Sequence, residues 1–345
     1  MAMDAATMTA ANPVVSVCIA NFNGMELIDD CIRSVQAQHK DITVEILIHD
    51  DASTDASVSH IQNNYPEVRL IVSEVNVGFC IANNRMATQA KGEYLLLLNN
   101  DATLYPDALS ALLSEAKTIS KPAILTLPQY DATTGVLVDR GCLLDPFFNP
   151  VPNLDPHRMD VAMVIGACLW IPKQLWDELQ GFPEWFGSIA EDMYLCCRAR
   201  LAGFAVRALQ ESGYRHWQGK SFGGNRLHNN RLNTTFNRRA LSERNKTFAM
   251  VVTTPFPAIF FLLPFHVLSL LTEGILISIL KLNLSYVRKI YLPALGGLVR
   301  ERKKLRAARL VVMGGRQMDV KFFTPFNFRP HKLEMLWRHG LPRVT

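Results

Sequence analysis

The sequence predicts an α/β fold, a Rossmann-like and mostly parallel sheet flanked by helices, with a helical C-terminal region added to it. Two observations predict the sheet. Short, continuous apolar runs alternate with segments long enough for crossover helices, the rhythm of strands buried on both faces. Polar residues follow those runs directly, and in such sheets the ligand crevice lies beyond the carboxyl ends of the strands. A third observation predicts the added region: residues 1–240 carry 19 Lys and Arg against 26 Asp and Glu, whereas residues 241–345 carry 17 against 5. The chain has an acidic body and a basic tail.

The strands are read in order as "VVSVCIA" (14–20), "VEILIHD" (44–50), "VRLIVSE" (68–74) and "EYLLLLNND" (93–101). Between them, "MELIDDCIRSVQAQ", "DASVSHIQNNY" and "FCIANNRMATQA" are each long enough for a helix. The run of four leucines ends in Asn99, Asn100 and Asp101, and the second strand ends in His49, Asp50 and Asp51. Both clusters fall where a ligand would sit. After the first strand stands "IANFNG" (19–24), not G-x-G-x-x-G, which disfavours a dinucleotide fold, and no P-loop pattern occurs. A phosphate-bearing ligand would then need another positive partner, and a divalent metal held by a carboxylate is the usual one.

Six blocks, "VSVCIANFNG", "ILIHDDASTDAS", "NVGFCIANNRMA", "LLLLNNDATLYPDAL", "GACLWIPKQLWDELQGFPEWF" and "EDMYLCCRARLAGF", resemble glycosyltransferase family 2 in order and approximate spacing. More narrowly they are similar to the bacterial rhamnosyltransferases that build surface polysaccharide on lipid carriers. The resemblance spans roughly residues 14–225. It implies the glycosyltransferase-A fold and inverting transfer of a sugar from a nucleotide-diphosphate donor, dTDP- or UDP-linked, to a saccharide acceptor linked to polyprenyl diphosphate. L-rhamnose from dTDP-rhamnose is the sugar the narrower likeness suggests.

The resemblance also implies roles for residues that composition alone would leave as strand ends and caps. Asp101 matches the last residue of the family's D-x-D position, which binds a metal bridging the donor diphosphate; Asn99 replaces the first carboxylate, and Asn100 lies between them. A hard cation, Mg²⁺ or Mn²⁺, tolerates a single carboxylate because diphosphate oxygens and water complete its shell. Asp50, otherwise readable as the anchor of an Asx turn, matches the residue that binds the nucleotide base, and its acceptor-only carboxylate suits the imide N–H of uracil or thymine. Asn76, Gly78 and Asn84 fall in the segment near the nucleotide sugar. In the E-D block, whose two acids a helix dipole would favour without any catalysis, Asp192 matches the general base. His216 matches a metal- or diphosphate-binding histidine, with Ser221, Arg226 and Arg231 as diphosphate contacts.

Beyond Lys246, residues 247–272 contain no Asp, Glu, Lys or Arg but include Pro255, Pro257 and Pro264, and residues 281–310 hold nine Lys and Arg with one acid. A kinked, interfacial segment with a basic belt fits an anionic membrane surface; a buried hairpin or a contact with a second copy of the chain is the bland alternative. The expected organisation is a flexible stretch at 1–13 without signal-peptide character, a catalytic domain at 14–240, and a membrane-associated region at 241–345, held peripherally or monotopically on the cytoplasmic face. Seven cysteines without paired spacing fit a reducing compartment and no structural zinc. "RERKKLRAAR" (300–309) has no interleaved aromatics, so nucleic acid is not expected as a partner. The rival to an enzyme is a non-catalytic subunit that binds a sugar nucleotide or lipid carrier on the same fold.

Overall fold

A computed structural model describes residues 12–38, 41–217, 219, 224–228, 231–314 and 320–345, with the backbone alone at 224–228, 231 and 232. Ser221 and the side chains of Arg226 and Arg231, all expected at the diphosphate, lie outside what is described.

The chain begins with β1 (Val15–Asn21), α1 (Ile28–Gln36), β2 (Val44–Asp50), α2 (Ser57–Asn64), β3 (Arg69–Val72), α3 (Phe79–Gln89) and β4 (Tyr94–Asn99). These are the four strands and three crossover helices the sequence predicts. There follow β5 (Ala102–Leu104), α4 (Ala108–Thr118), β6 (Ala123–Thr126), β7 (Gln129–Asp131), β8 (Leu137–Asp139), β9 (Cys142–Leu144), β10 (Pro150–Pro152), β11 (Cys168–Pro172), α5 (Lys173–Glu178) and α6 (Glu191–Leu201). Then come β12 (Ala205–Ala208), β13 (Tyr214–His216), β14 (Gly224–His228), β15 (Arg231–Thr234), α7 (Phe236–Thr253), α8 (Ala258–Leu280), α9 (Leu292–Arg300), α10 (Arg302–Met313), α11 (His331–His339) and β16 (Arg343–Val344).

Seven strands form the main sheet in the order β12-β6-β11-β4-β1-β2-β3. All neighbours are parallel except β11, which runs antiparallel between β4 and β6. The exception has a local cause. β6 already ends at the carboxyl end, and the chain after it runs partly along the edge strand, where Val161 N bonds Val206 O of β12, before returning to the site end; there Cys168 pairs with Leu98, so β11 enters from that end and runs backward. The leucines of β4 are buried on both faces as expected: Leu95 and Leu97 pack in the core that α3 and α6 cover, Leu96 and Leu98 in the core of α1 and α4. Each such burial contributes about 1.5–3 kcal/mol.

The apolar run at 247–272 is not a single object. Its first seven residues finish α7, where Phe248, Met250 and Val252 join the same core as the sheet and as Leu305 and Val312 of α10. Pro255 and Pro257 turn the chain, and α8 then continues through Pro264 and Glu273. α8 is long and apolar enough to cross a membrane by length and composition, and much of it faces outward; Phe260, Phe265 and Leu280 are 66%, 62% and 66% exposed. Residue 240, where the sequence suggests a boundary, lies inside α7. All seven cysteines are free and buried, and burial pushes every thiol well above its ordinary pKa.

Candidate active site

Because parallel β1, β2 and β4 end together, their last residues meet side by side. Asn100 donates to Asn21 Oδ1 at 2.8 Å, and Asn21 donates to Asp50 Oδ2 at 2.8 Å, which makes a buried polar ladder across three strands. Gly24 is required beside it: a Cβ there would lie 2.2 Å from both Asn100 Nδ2 and Asn21 Oδ1. Asp50 is fully buried, and Ser53 donates to it through backbone N and hydroxyl at 2.9 and 2.8 Å. Its oxygens are thus engaged in the Asx turn, and the wall of the cavity is formed by its neighbour Asp51. Asp51 accepts from Val77 N at 2.7 Å and Gly78 N at 2.9 Å and so draws the β3–α3 loop to the site, while Asn76 donates to its carbonyl. Gly78, at φ +88°, meets Gly187 O closely enough that a Cβ would sit 3.1 Å away. Asn84 is placed elsewhere: its amide clasps the backbone of Phe182 in both directions at 3.0 Å, off the cavity wall.

Asp101 follows β4, and β13 pairs with β5 in a second sheet that carries His216 to it. His216 Nε2 lies 3.0 Å from Asp101 Oδ1, and Asn99 Nδ2 is 3.4 Å from the same nitrogen. On the other side of the ring Nδ1 faces Gln129 Oε1 at 3.3 Å, and that oxygen also accepts from the Tyr214 hydroxyl at 2.7 Å. The ring proton of neutral His216 therefore belongs on Nδ1, which turns the Nε2 lone pair toward a carboxylate. Two acceptors facing one another are satisfied by a cation between them, so this donor set suits a divalent metal. Gln129, which fixes the tautomer, carried no signal in the sequence. Among the described residues no group of three or more His, Cys, Asp and Glu is placed to hold a metal by itself, so diphosphate and water would supply the remaining ligands.

Glu191 and Asp192 open α6 after a backbone that turns through positive φ three times, at Gly187 (74°), Ile189 (72°) and Ala190 (65°). A β-branched residue in that region is strained by about 1–3 kcal/mol. The turn aims Asp192 at the cavity, where it accepts from Gly166 N at 3.0 Å and from Met193 N at 2.7 Å. Burial nonetheless outweighs those bonds and the helix dipole, and the carboxyl sits above its ordinary range. Glu191 is raised well above its ordinary range, by burial and then by the charge of Asp192, and among the described residues its Oε2 meets no hydrogen-bond partner. Arg238, at the start of α7 on the cavity wall, feels both carboxylates. A base acts only when deprotonated, so the raised pKa of Asp192 should place the acid limb of kcat/KM above the ~4 of an ordinary aspartate. A pH profile with that limb at or below ~4 would contradict the assignment.

These groups share one cavity of about 1960 Å³. Asn76, Gly78, Asn99, Asn100, Asp101, Asp192 and His216 all line it. From Asp192 it continues past a buried charge cluster, in which Lys332 bridges Glu243 and Glu273 at 2.8 and 2.6 Å, and ends between the apolar sides of α8 and α11.

The family pattern described as Glycosyl transferase family 2 matches residues 16–139, and that described as Glycosyl transferase family group 2 matches residues 94–296. Chondroitin synthase of Escherichia coli is 30% identical over 53% of this chain and 26% of its own length. The N-acetylglucosaminyl-diphospho-decaprenol L-rhamnosyltransferase of Mycobacterium tuberculosis is 26% identical over 47% of this chain. The chain spans 62% of that enzyme's length, and only about a quarter of the E. coli protein. Among solved structures, S. aureus TarS 1–349 superposes with a TM-score of 0.54 at 17% identity, covering 95% of this chain and 92% of that one. GalNAc-T7, solved with UDP, GalNAc and Mn²⁺, gives 0.55 at 15% identity over 70% of this chain and 48% of its own. The superpositions show the glycosyltransferase-A fold. The chain belongs to glycosyl transferase family 2.

Proposed function

We propose that this chain is an inverting, metal-dependent hexosyltransferase of surface polysaccharide synthesis that transfers L-rhamnose from dTDP-rhamnose to a saccharide carried on polyprenyl diphosphate. The observation that carries the acceptor class is the cavity. Pockets for one small ligand measure about 300–1,000 Å³, so a volume of about 1960 Å³ leaves room for a second substrate beside the donor. The polar end suits two sugars and a diphosphate, and the apolar end suits a lipid chain. The mycobacterial relative, whose name records a decaprenyl-linked acceptor and rhamnosyl transfer, supports the same reading.

In this scheme the donor lies over the tips of β1, β2 and β4. Asp101 and His216 would hold Mg²⁺ or Mn²⁺, which when bound neutralises charge on the departing diphosphate. Asp192 takes the proton of the acceptor hydroxyl as that oxygen attacks the anomeric carbon from the face opposite the diphosphate. Incubating the chain with a panel of nucleotide sugars and polyprenyl-diphosphate saccharides, with products read by mass spectrometry, tests the proposal. Transfer of rhamnose to a lipid-linked acceptor is expected; transfer only to lipid-free acceptors, or of another sugar, would replace the finer assignment.

The same reading places the chain on the cytoplasmic face of the plasma membrane, held by the outward side of α8 and by the basic residues that follow it. Apolar burial resists salt, whereas the cationic attraction acts only within about a Debye length of roughly 10 Å. The protein should sediment with membranes, survive a high-salt wash and release in detergent. A monodisperse, detergent-free soluble species would argue instead that α8 meets a second copy of the chain.

A further inference from the structure

We infer that Asn245 is a positioning residue that fixes the strained turn presenting Asp192, and so joins α7 to the chemistry of α6. Asn245 is fully buried in the middle of α7. Its Nδ2 lies 3.1 Å from Phe186 O, 2.8 Å from Ser188 O and 2.8 Å from Ile189 O. These carbonyls belong to the segment whose φ is positive at Gly187, Ile189 and Ala190. One amide group therefore gathers three carbonyls that an unstrained chain would not bring together.

Two further contacts make the arrangement specific. Asn245 Oδ1 accepts from Arg244 Nε at 2.9 Å, which orients the amide with its nitrogen toward the turn, and Arg244 Nη2 donates to Phe186 O at 3.0 Å. From the opposite side Cys80 N donates to Gly187 O at 2.9 Å, and Ser188 Oγ accepts from Phe79 N at 3.3 Å. The turn is thus held between the start of α3 at the donor end and the middle of α7. Strain of this kind persists only where the surroundings over-determine it, and Asn245 supplies three of the determining contacts. A small displacement of a catalytic carboxylate costs up to about a hundredfold in rate.

The inference rests on the transferase reading of Asp192, and the test separates the two. Asn245→Leu keeps the side-chain shape and removes every donor. Thr253→Val is the control: Thr253 is equally buried in α7, and its hydroxyl bonds Ala249 O of the same helix and the Cys197 thiol further along α6, not the turn at 186–190. In Asn245→Leu, kcat should fall about ten- to a hundredfold with donor affinity within about twofold of the unaltered chain. Hydrogen exchange of amides 187–193 should rise by about tenfold or more, and Asn245→Gln should not restore the rate because its longer arm displaces the same carbonyls. Thr253→Val should leave both readouts unchanged. Wild-type kcat and exchange in Asn245→Leu would overturn the inference, as would an equal loss in Thr253→Val, which would reduce it to helix stability. Should the unaltered chain transfer no sugar at all, the transferase reading falls, and the exchange comparison then upholds or overturns the clamp without it.

Discussion

Asp192→Asn should lower transfer about a hundredfold or more while leaving the fold and donor affinity nearly unchanged. The substitution is close to isosteric, and the amide oxygen can still accept one of the two backbone N–H groups, from Gly166 or Met193, that now meet the carboxylate. What disappears is the ability to take a proton from the acceptor hydroxyl, a contribution of about 10²–10⁴ in rate. The effect should fall on kcat and kcat/KM alike, because the lost interaction belongs to the transition state. Neutral Asn also removes a charge beside Glu191, whose carboxyl should titrate closer to its ordinary value as a result. Single-turnover transfer and donor-binding calorimetry measure the two halves of the prediction. A variant that turns over at the wild-type rate would leave Asp192 as a helix-terminal acid and nothing more.

Asp101→Ala should abolish the metal-dependent part of donor binding. Among the described residues this carboxylate is the acid paired with His216 Nε2, at 3.0 Å, and its loss leaves the imidazole without that partner for the cation. A lone neutral imidazole holds Mg²⁺ or Mn²⁺ poorly, since both prefer oxygen ligands. Titrating donor into the unaltered chain with and without chelator should reveal the dependence, and Asp101→Ala should behave with metal as the unaltered chain behaves without it. Full turnover in excess chelator, or an unchanged metal-dependent affinity in the variant, would sink the assignment. The substitution also opens space next to the buried polar ladder, so thermal unfolding should be measured alongside to exclude a folding defect.

The sheet was legible wherever burial is two-sided. β1, β2 and β4 are continuous apolar runs because Leu95 and Leu97 face one core and Leu96 and Leu98 the other, and no periodicity is needed to see that. β11 was not legible: "CLWIP" leads straight into α5, and its direction depends on the chain's return from the site end. At the site, the resemblance led to Asp101, Asp192 and His216, and these three line a single cavity. Gln129 and Asn245 could not be found this way, because a neutral amide that sets a tautomer or gathers carbonyls has no spacing rule. The uncharged stretch at 247–272 was read as one segment because composition cannot distinguish residues apolar for a protein interior from residues apolar for an outer face. Phe248 is in the core and Phe260 is not, twelve residues apart in the same featureless run.

The seven buried thiols have a practical consequence. A thiol reacts as thiolate and needs contact with the reagent, and each of these lacks both conditions in the folded chain. Alkylation must then wait for the structure to open. Cys18 on β1 and Cys168 on β11 lie inside the sheet, whereas Cys196 and Cys197 sit on α6, one turn on from Asp192. The order in which a maleimide marks them, read peptide by peptide, would give the free energy of partial opening of α6 separately from that of the whole sheet. The chain thus carries its own set of internal clocks, distributed between the central sheet and the helix that carries Asp192.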